Sequence, residues 1–166
     1  MYQLVDNYTL FYFNFIQENI HNDAHFWTNQ YGTPFHNVWA GLAFERVCMQ
    51  HIEQMKRAIG FSAVISSVHS WRYVPTDKSE KGVQIDLLID RKDDVINLCE
   101  MKYSKSPYAL TAQEEMNLQN RSETFIRETQ TRKAVHLTMV TSFGLANNAY
   151  ANEIQAQVTM DDLFIS

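Results

Sequence analysis

The chain has 166 residues, a formal charge of −5 and a pI near 5.6, with 45% hydrophobic and 20% charged residues. That composition excludes a disordered chain and leaves room for one domain with a real core plus a short extra segment at one end. The acidic balance supplies no global electrostatic attraction to nucleic acid.

Residues 1 to 33 are rich in aromatics, among them Tyr2, Tyr8, Phe11, Tyr12, Phe13, Phe15, Phe26 and Trp27. Their period does not separate a short helix from an extended docking segment. So many aromatic rings need a covering surface, either this chain's own or a neighbouring domain's. The apolar run Leu10 to Ile16 is too short to span a bilayer, and no basic region or small-residue cleavage site marks it as a leader. Cys48 and Cys99 show no metal or disulfide spacing, which suits a reducing compartment, and the expected location is the cytoplasm.

Gly32, Thr33 and Pro34 punctuate the chain, and a domain is expected over residues 34 to 166. His36 to Ile59 reads as a helix with Val38, Leu42, Met49, Ile52 and Ile59 near one stripe, stopped by Gly60. Glu45 lies seven residues after Val38 and so falls along that stripe. It is either a glutamate at the stripe's edge whose head reaches solvent, or a carboxylate directed at a site.

Phe61 to Val74 reads as a first strand and Pro75 to Lys81 as a polar loop. The stretch from Gly82 to Lys102 then holds two apolar, alternating runs around a charged turn. Within those runs sit Asp86, Glu100 and Lys102, which are costly to desolvate unless they pair or hold a cation. Strand alternation puts Glu100 and Lys102 on one face. Asp86 reaches that face only across an unbulged loop with an odd number of residues, and a three-residue loop at Lys92, Asp93 and Asp94 would set it opposite Glu100.

Further on, Thr111 and Glu114 form a capping-box pattern ahead of a helix over residues 112 to 131. Ala134 to Thr141 reads as an internal strand, Gln155 to Thr159 as a last strand, and Asp161 to Phe164 as a terminal turn. Lys105, Arg121, Arg127, Arg132 and Lys133 interleave with Glu114, Glu115, Glu123 and Glu128, the pattern of a solvated helix of mixed charge. His21, His25 and His36 offer a conceivable zinc set, but solvated or locally hydrogen-bonded histidines account for the spacing more simply.

Two strand carboxylates, a helical one and a lysine two residues after Glu100 make a compact acidic pocket suited to Mg²⁺ or Mn²⁺. Such a cation activates water and balances charge on a phosphoryl oxygen, the chemistry of phosphodiester hydrolysis.

In element order, with Glu45 on the first helix, Asp86 on the second strand and Glu100-Met101-Lys102 on the third, the chain resembles the PD-(D/E)XK superfamily of restriction-endonuclease-like nucleases. The resemblance implies an α/β fold with an αβββαβ core and a mixed central sheet flanked by helices. Within that superfamily the chain is similar to the C-terminal domain of archaeal-type AAA ATPases, and its opening residues resemble the segment that follows their winged helix. Carried over residue by residue, the resemblance makes Asp86 and Glu100 the metal ligands, Lys102 the catalytic lysine and Glu45 the helical acid. Ile85 stands where the superfamily's name has proline, which is not a ligand. The implied function is a divalent-metal-dependent nuclease acting on DNA, or secondarily RNA, in company with an upstream ATPase and winged helix. The alternative is a catalytically silent module of the same fold that docks to or regulates an NTPase. No phosphate loop or winged helix occurs in these residues, so neither ATP hydrolysis nor winged-helix DNA binding is carried over.

Overall fold

The structure is a computed structural model that describes residues 6–17, 19, 23–77 and 81–165. Tyr2, His21 and residues 78–80 of the expected polar loop lie outside the described residues. The chain divides into two compact units, Met1–Val47 and Cys48–Ser166.

In the first unit, Asp6 caps the short helix α1 (Asn7–Phe11) by accepting from the Thr9 amide at 2.6 Å, and a π-helical turn follows over Tyr12–Ile16. Helix α2 spans Phe26–Gln30 and α3 spans Pro34–Gln50. The aromatic residues cover one another. Phe15 is buried, with its ring centroid 5.3 Å from those of Phe11, Trp27 and Phe35 and 5.0 Å from that of Trp39. Edge-to-face geometry in most of these pairs aligns ring edges with ring faces, as aromatic quadrupoles favour. Several of the rings therefore find their covering surface within the unit.

One helix was expected from His36 to Ile59, but the chain breaks at His51 (φ −119°, ψ 35°), and α4 occupies Ile52–Ile59. The buried stripe of α3 also differs from the expected one. His36, Ala40, Phe44 and Cys48, spaced four apart, are buried, whereas Val38, Leu42 and Met49 stay exposed. Both stripes satisfy helical spacing, and the buried one is the one that carries the rings of His36 and Phe44.

The second unit contains a five-stranded mixed sheet in the order β1 (Ser66–Tyr73), β2 (Val83–Arg91), β3 (Val95–Lys102), β4 (Ala134–Thr141), β5 (Ala156–Thr159). The first three strands are antiparallel; β4 runs parallel to β3, and β5 to β4. A parallel step needs a long crossover, supplied between β3 and β4 by helix α5 (Ala112–Thr129). The Thr111/Glu114 capping box is formed. Leu118 and Phe125 of α5 pack with Ile85, Leu88, Ile96, Leu98, Leu137 and Met139 on one sheet face. Leu87, Ile89, Cys99, Met101 and Val140 are buried on the other. The α/β architecture with a mixed sheet flanked by helices is thus present.

Two register features position everything that follows. First, Asp90 pairs with Ile96 across a loop at Lys92, Asp93 and Asp94, with Asp94 at φ 62°. This is the three-residue loop, closed by a left-handed residue. Second, His69 pairs with Leu88 but Trp71 pairs with Ile85, so Ser70 of β1 faces both Asp86 and Leu87 of β2. That is a β-bulge, which leaves Ile85 and Leu88 on the same face although they are three residues apart. The β2–β3 ladder reaches only as far as Leu87↔Cys99, and beyond that pair the two strands part.

Candidate functional site

Glu100 and Lys102 sit near the end of β3 and alternate onto the face covered by α5. Lys102 Nζ lies 2.8 Å from Glu100 Oε1, and Arg121 Nη1 of α5 lies 2.5 Å from Glu100 Oε2. Both carboxylate oxygens are therefore ion-paired, and the side chain is only 19% exposed. Leu118 and Phe125, three before and four after Arg121, turn this side of α5 to the sheet and carry the guanidinium with them.

A pocket of about 90 Å³ opens beside these groups, lined by Glu100, Lys102, Glu114, Asn117 and Arg121 above an apolar floor at Leu118. Two carboxylates face two cations, so the lining is electrically balanced. Behind the lining residue Glu114 stands Tyr108, whose amide donates to Gly144 O at 2.8 Å and whose carbonyl accepts from Ala146 N at 2.9 Å. Gly144 takes φ 80°, a conformation that favours glycine. The Tyr108 hydroxyl donates to Glu114, which also accepts from the Thr111 amide at 3.0 Å. Burial, and then the neighbouring Glu114 carboxylate, push the Tyr108 phenol above its ordinary range. Burial works to raise Glu114, but hydrogen bonds from Tyr108 and Thr111 and the charge of Lys102 outweigh it and hold the carboxyl below its ordinary range.

Of the four residues expected to form the site, Glu100 and Lys102 are brought together. Asp86 is not placed with them. Because the bulge keeps Val83 and Ile85 in the α5 core, Gln84 and Asp86 alternate away from it, and the Gln84 side-chain amide donates to Asp86 Oδ1 at 2.6 Å. The odd loop alone would have put Asp86 on the face of Glu100; the bulge reverses that parity. Asp86 is exposed and is absent from the pocket lining, yet it is the first β2 residue beyond the last ladder pair, as Glu100 is on β3. Glu45 lies on α3 in the first unit, half-buried.

Two charged pocket residues went unrecognised as such in the sequence: Arg121 read as part of a solvated helix, and Glu114 as a cap and as one of that helix's mixed charges; Tyr108, which donates to Glu114, drew no reading. The signal for Arg121 was its place on the stripe of Leu118 and Phe125. Burial pushes the Cys99 thiol up to about 12, and Cys48 is also buried, so both behave as core residues. His36 is buried among Trp27, Tyr31 and Trp39.

The donor chemistry for a hard divalent cation is present in Glu100, a carboxylate open to a polar pocket, and Mg²⁺ binds through as few as one or two carboxylates. Among the described residues, no group of three His, Cys, Asp or Glu is gathered closely enough to form a full protein cage. Glu100 thus suits a cation shared with water or substrate oxygens.

The fold and pocket define a mixed α/β domain whose central strand presents a Glu-x-Lys pair to its crossover helix. Residues 12–129 match the model of DUF234, a family of archaeal and bacterial proteins of unknown function, and the chain belongs to that family. A search of curated proteins found no match. The crystal structure of AF1548, also a protein of unknown function, is similar at 13% identity with a TM-score of 0.44. That likeness covers 70% of this chain and 64% of that one. No helix among the described residues is long and apolar enough to cross a membrane.

Proposed function

We propose that the second unit is a divalent-metal-dependent nuclease module of the PD-(D/E)XK type, acting on the phosphodiester bonds of DNA. The observation that carries this reading is the Glu100–Lys102 pair, 2.8 Å apart and lining a polar pocket between β3, β4 and α5. Glu100 would hold Mg²⁺ or Mn²⁺ with water and substrate oxygens, Asp86 joining only on release from Gln84 and from the far sheet face, and the cation would supply an activated water and charge balance at phosphorus. Lys102 holds its ammonium against the same carboxylate, where it orients a water or meets a phosphoryl oxygen. Arg121 fixes the carboxylate from α5. The resemblance to the C-terminal module of archaeal-type ATPases adds an ATPase as the expected partner.

A specific observation favours a second reading. Asp86 faces away from the pocket and both Glu100 oxygens are ion-paired, which suits a catalytically silent module of the same fold that docks to an NTPase. Titration of the protein with Mn²⁺, followed by electron paramagnetic resonance and by plasmid nicking, separates the two. The nuclease reading expects binding at millimolar concentration or better, weakened by Glu100→Ala and by Asp86→Ala, and nicking abolished by Lys102→Ala. No binding, or nicking indifferent to Asp86→Ala and Lys102→Ala, leaves the docking module.

A further inference from the structure

Each oxygen of Glu100 carries a cation, but the two cations are held differently. Lys102 stands two residues along β3, and its charge also acts on Glu114, so two carboxylates attract it. Arg121 reaches across from α5 and meets Glu100 through Nη1; among the described residues the rest of its guanidinium has no partner. Glu114 offers Arg121 no oxygen. The Tyr108 hydroxyl donates to one, and the Thr111 amide and hydroxyl donate to the other at 3.0 and 2.8 Å. On its inner side the Glu100–Arg121 pair borders a void of about 10 Å³, walled otherwise by Ile85, Leu98, Cys99, Leu118 and Leu137. That side is apolar, so an ion that joins Glu100 arrives from the polar pocket, and Arg121 leaves toward the same opening.

We infer that Arg121 is an exchangeable place-holder: it neutralises Glu100 while no divalent cation is bound, gives up that carboxylate when one is, and then grips a phosphodiester oxygen of the substrate. The inference rests on the nuclease reading for the cation and deepens it by naming the side chain that couples cation to substrate. Charge drives the exchange. The two carboxylates and two cations of the lining are balanced and give an anion no net attraction. A divalent cation on Glu100 leaves the pocket with positive charge in excess, and the adjoining guanidinium is repelled. Lys102 stays, because Glu114 still attracts it. The released guanidinium presents a planar fork of donors that matches phosphate two N–H groups at a time. By linkage, cation and strand each tighten the binding of the other. The double pairing of Glu100 is then the resting state of an active site and not the mark of a silent one.

The experiment is a pair of titrations on the full chain. In the first, Mn²⁺ binding is followed by electron paramagnetic resonance without nucleic acid. Arg121→Ala, and Arg121→Gln, which keeps a donor to Glu100 without the charge, should each bind Mn²⁺ roughly three- to tenfold more tightly than the parent. A merely structural Arg121 would loosen Glu100 on removal and weaken Mn²⁺ instead. In the second, fluorescence anisotropy follows a labelled thymidine strand in EDTA and in Ca²⁺, which takes the same oxygen ligands. The parent's affinity for the strand should rise about tenfold or more in Ca²⁺, and that gain should shrink to about threefold or less in both variants. Lys92→Gln, which removes a cation from the hairpin loop at the other end of β3, is the control. Mn²⁺ affinity unchanged or weakened in both variants overturns the inference, as does an undiminished gain in strand affinity or an equal tightening in the control. Failure of parent and variants alike to bind Mn²⁺ removes the nuclease reading and the place-holder with it; Mn²⁺ binding and nicking indifferent to Arg121 remove the place-holder alone.

Discussion

Replacing Arg121 with alanine removes one of the two ion pairs that hold Glu100 while leaving Lys102 on the other oxygen. Opposite unit charges about 4 Å apart attract by about 4 kcal/mol gross at an effective dielectric near 20. Desolvation and side-chain ordering offset most of that. Exposed pairs retain about 0–1 kcal/mol, and breaking a buried pair costs about 3–5 kcal/mol. Glu100 at 19% exposed and Arg121 at 36% exposed sit between those limits. Because Lys102 prevents the carboxylate from being orphaned, the expected loss is about 1–2 kcal/mol, or roughly 4–8 °C in melting temperature for a unit of this size. The assay is a urea and thermal double-mutant cycle over Arg121→Ala and Glu100→Gln, with an expected coupling of about 1 kcal/mol. A coupling below about 0.3 kcal/mol, at the limit of additivity, would refute the claim that these side chains act on each other. The same variant bears on the proposed function, since removing a guanidinium from Glu100 favours a divalent cation there and should tighten Mn²⁺ binding.

Tyr108→Phe removes the donor to Glu114 and should cost about 1 kcal/mol near neutral pH. Glu114 is held below its ordinary value of 4.5, so its stabilisation is complete above that value and disappears as pH falls through the lowered folded-state value. The gap in urea midpoint between the parent and Tyr108→Phe should therefore close on acidification below about pH 4.5; a gap that stays constant would rule out the hydrogen bond to the carboxylate. At Asp94, φ 62° favours glycine, so Asp94→Gly should gain about 0.5 kcal/mol and Asp94→Val lose about 1–2 kcal/mol. Equal stability of the two variants would show that the hairpin loop is not closed in the left-handed conformation.

Strand periodicity, turn residues and the capping box made the fold legible: β2, β3, α5 and β4 lie close to where alternation, Gly82, Thr111 and Glu114 put them. The three-residue loop was equally accessible, because charged residues bounded by two apolar runs leave few closures. The position of Asp86 was accessible only in part. Parity counted back from the loop fixes its face against β3, but a bulge against β1 adds one residue and reverses the answer. Glycine, a common bulge signal, is missing at the doubled position. What the sequence does contain is Leu87-Leu88-Ile89, three consecutive apolar residues that break the alternation of Val83 and Ile85. A strand buried on both faces tolerates such a run without a bulge, so the run alone cannot decide. The deciding term lies on the partner strand: Trp71 and Tyr73 need Ile85 and Val83 opposite them on the α5 face, where Trp71 meets Phe125 at 5.2 Å, while His69 stays paired with Leu88. Satisfying both within one ladder requires an extra residue, and Asp86, exposed at the fork, is there with Leu87 to take it up at little packing cost. The same feature thus sets the stereochemical question for the site, since the carboxylate at the bulge accepts from Gln84 on the sheet face away from Glu100 and must leave that bond to reach a cation held there. Mn²⁺ binding by Asp86→Ala reads directly whether it does so.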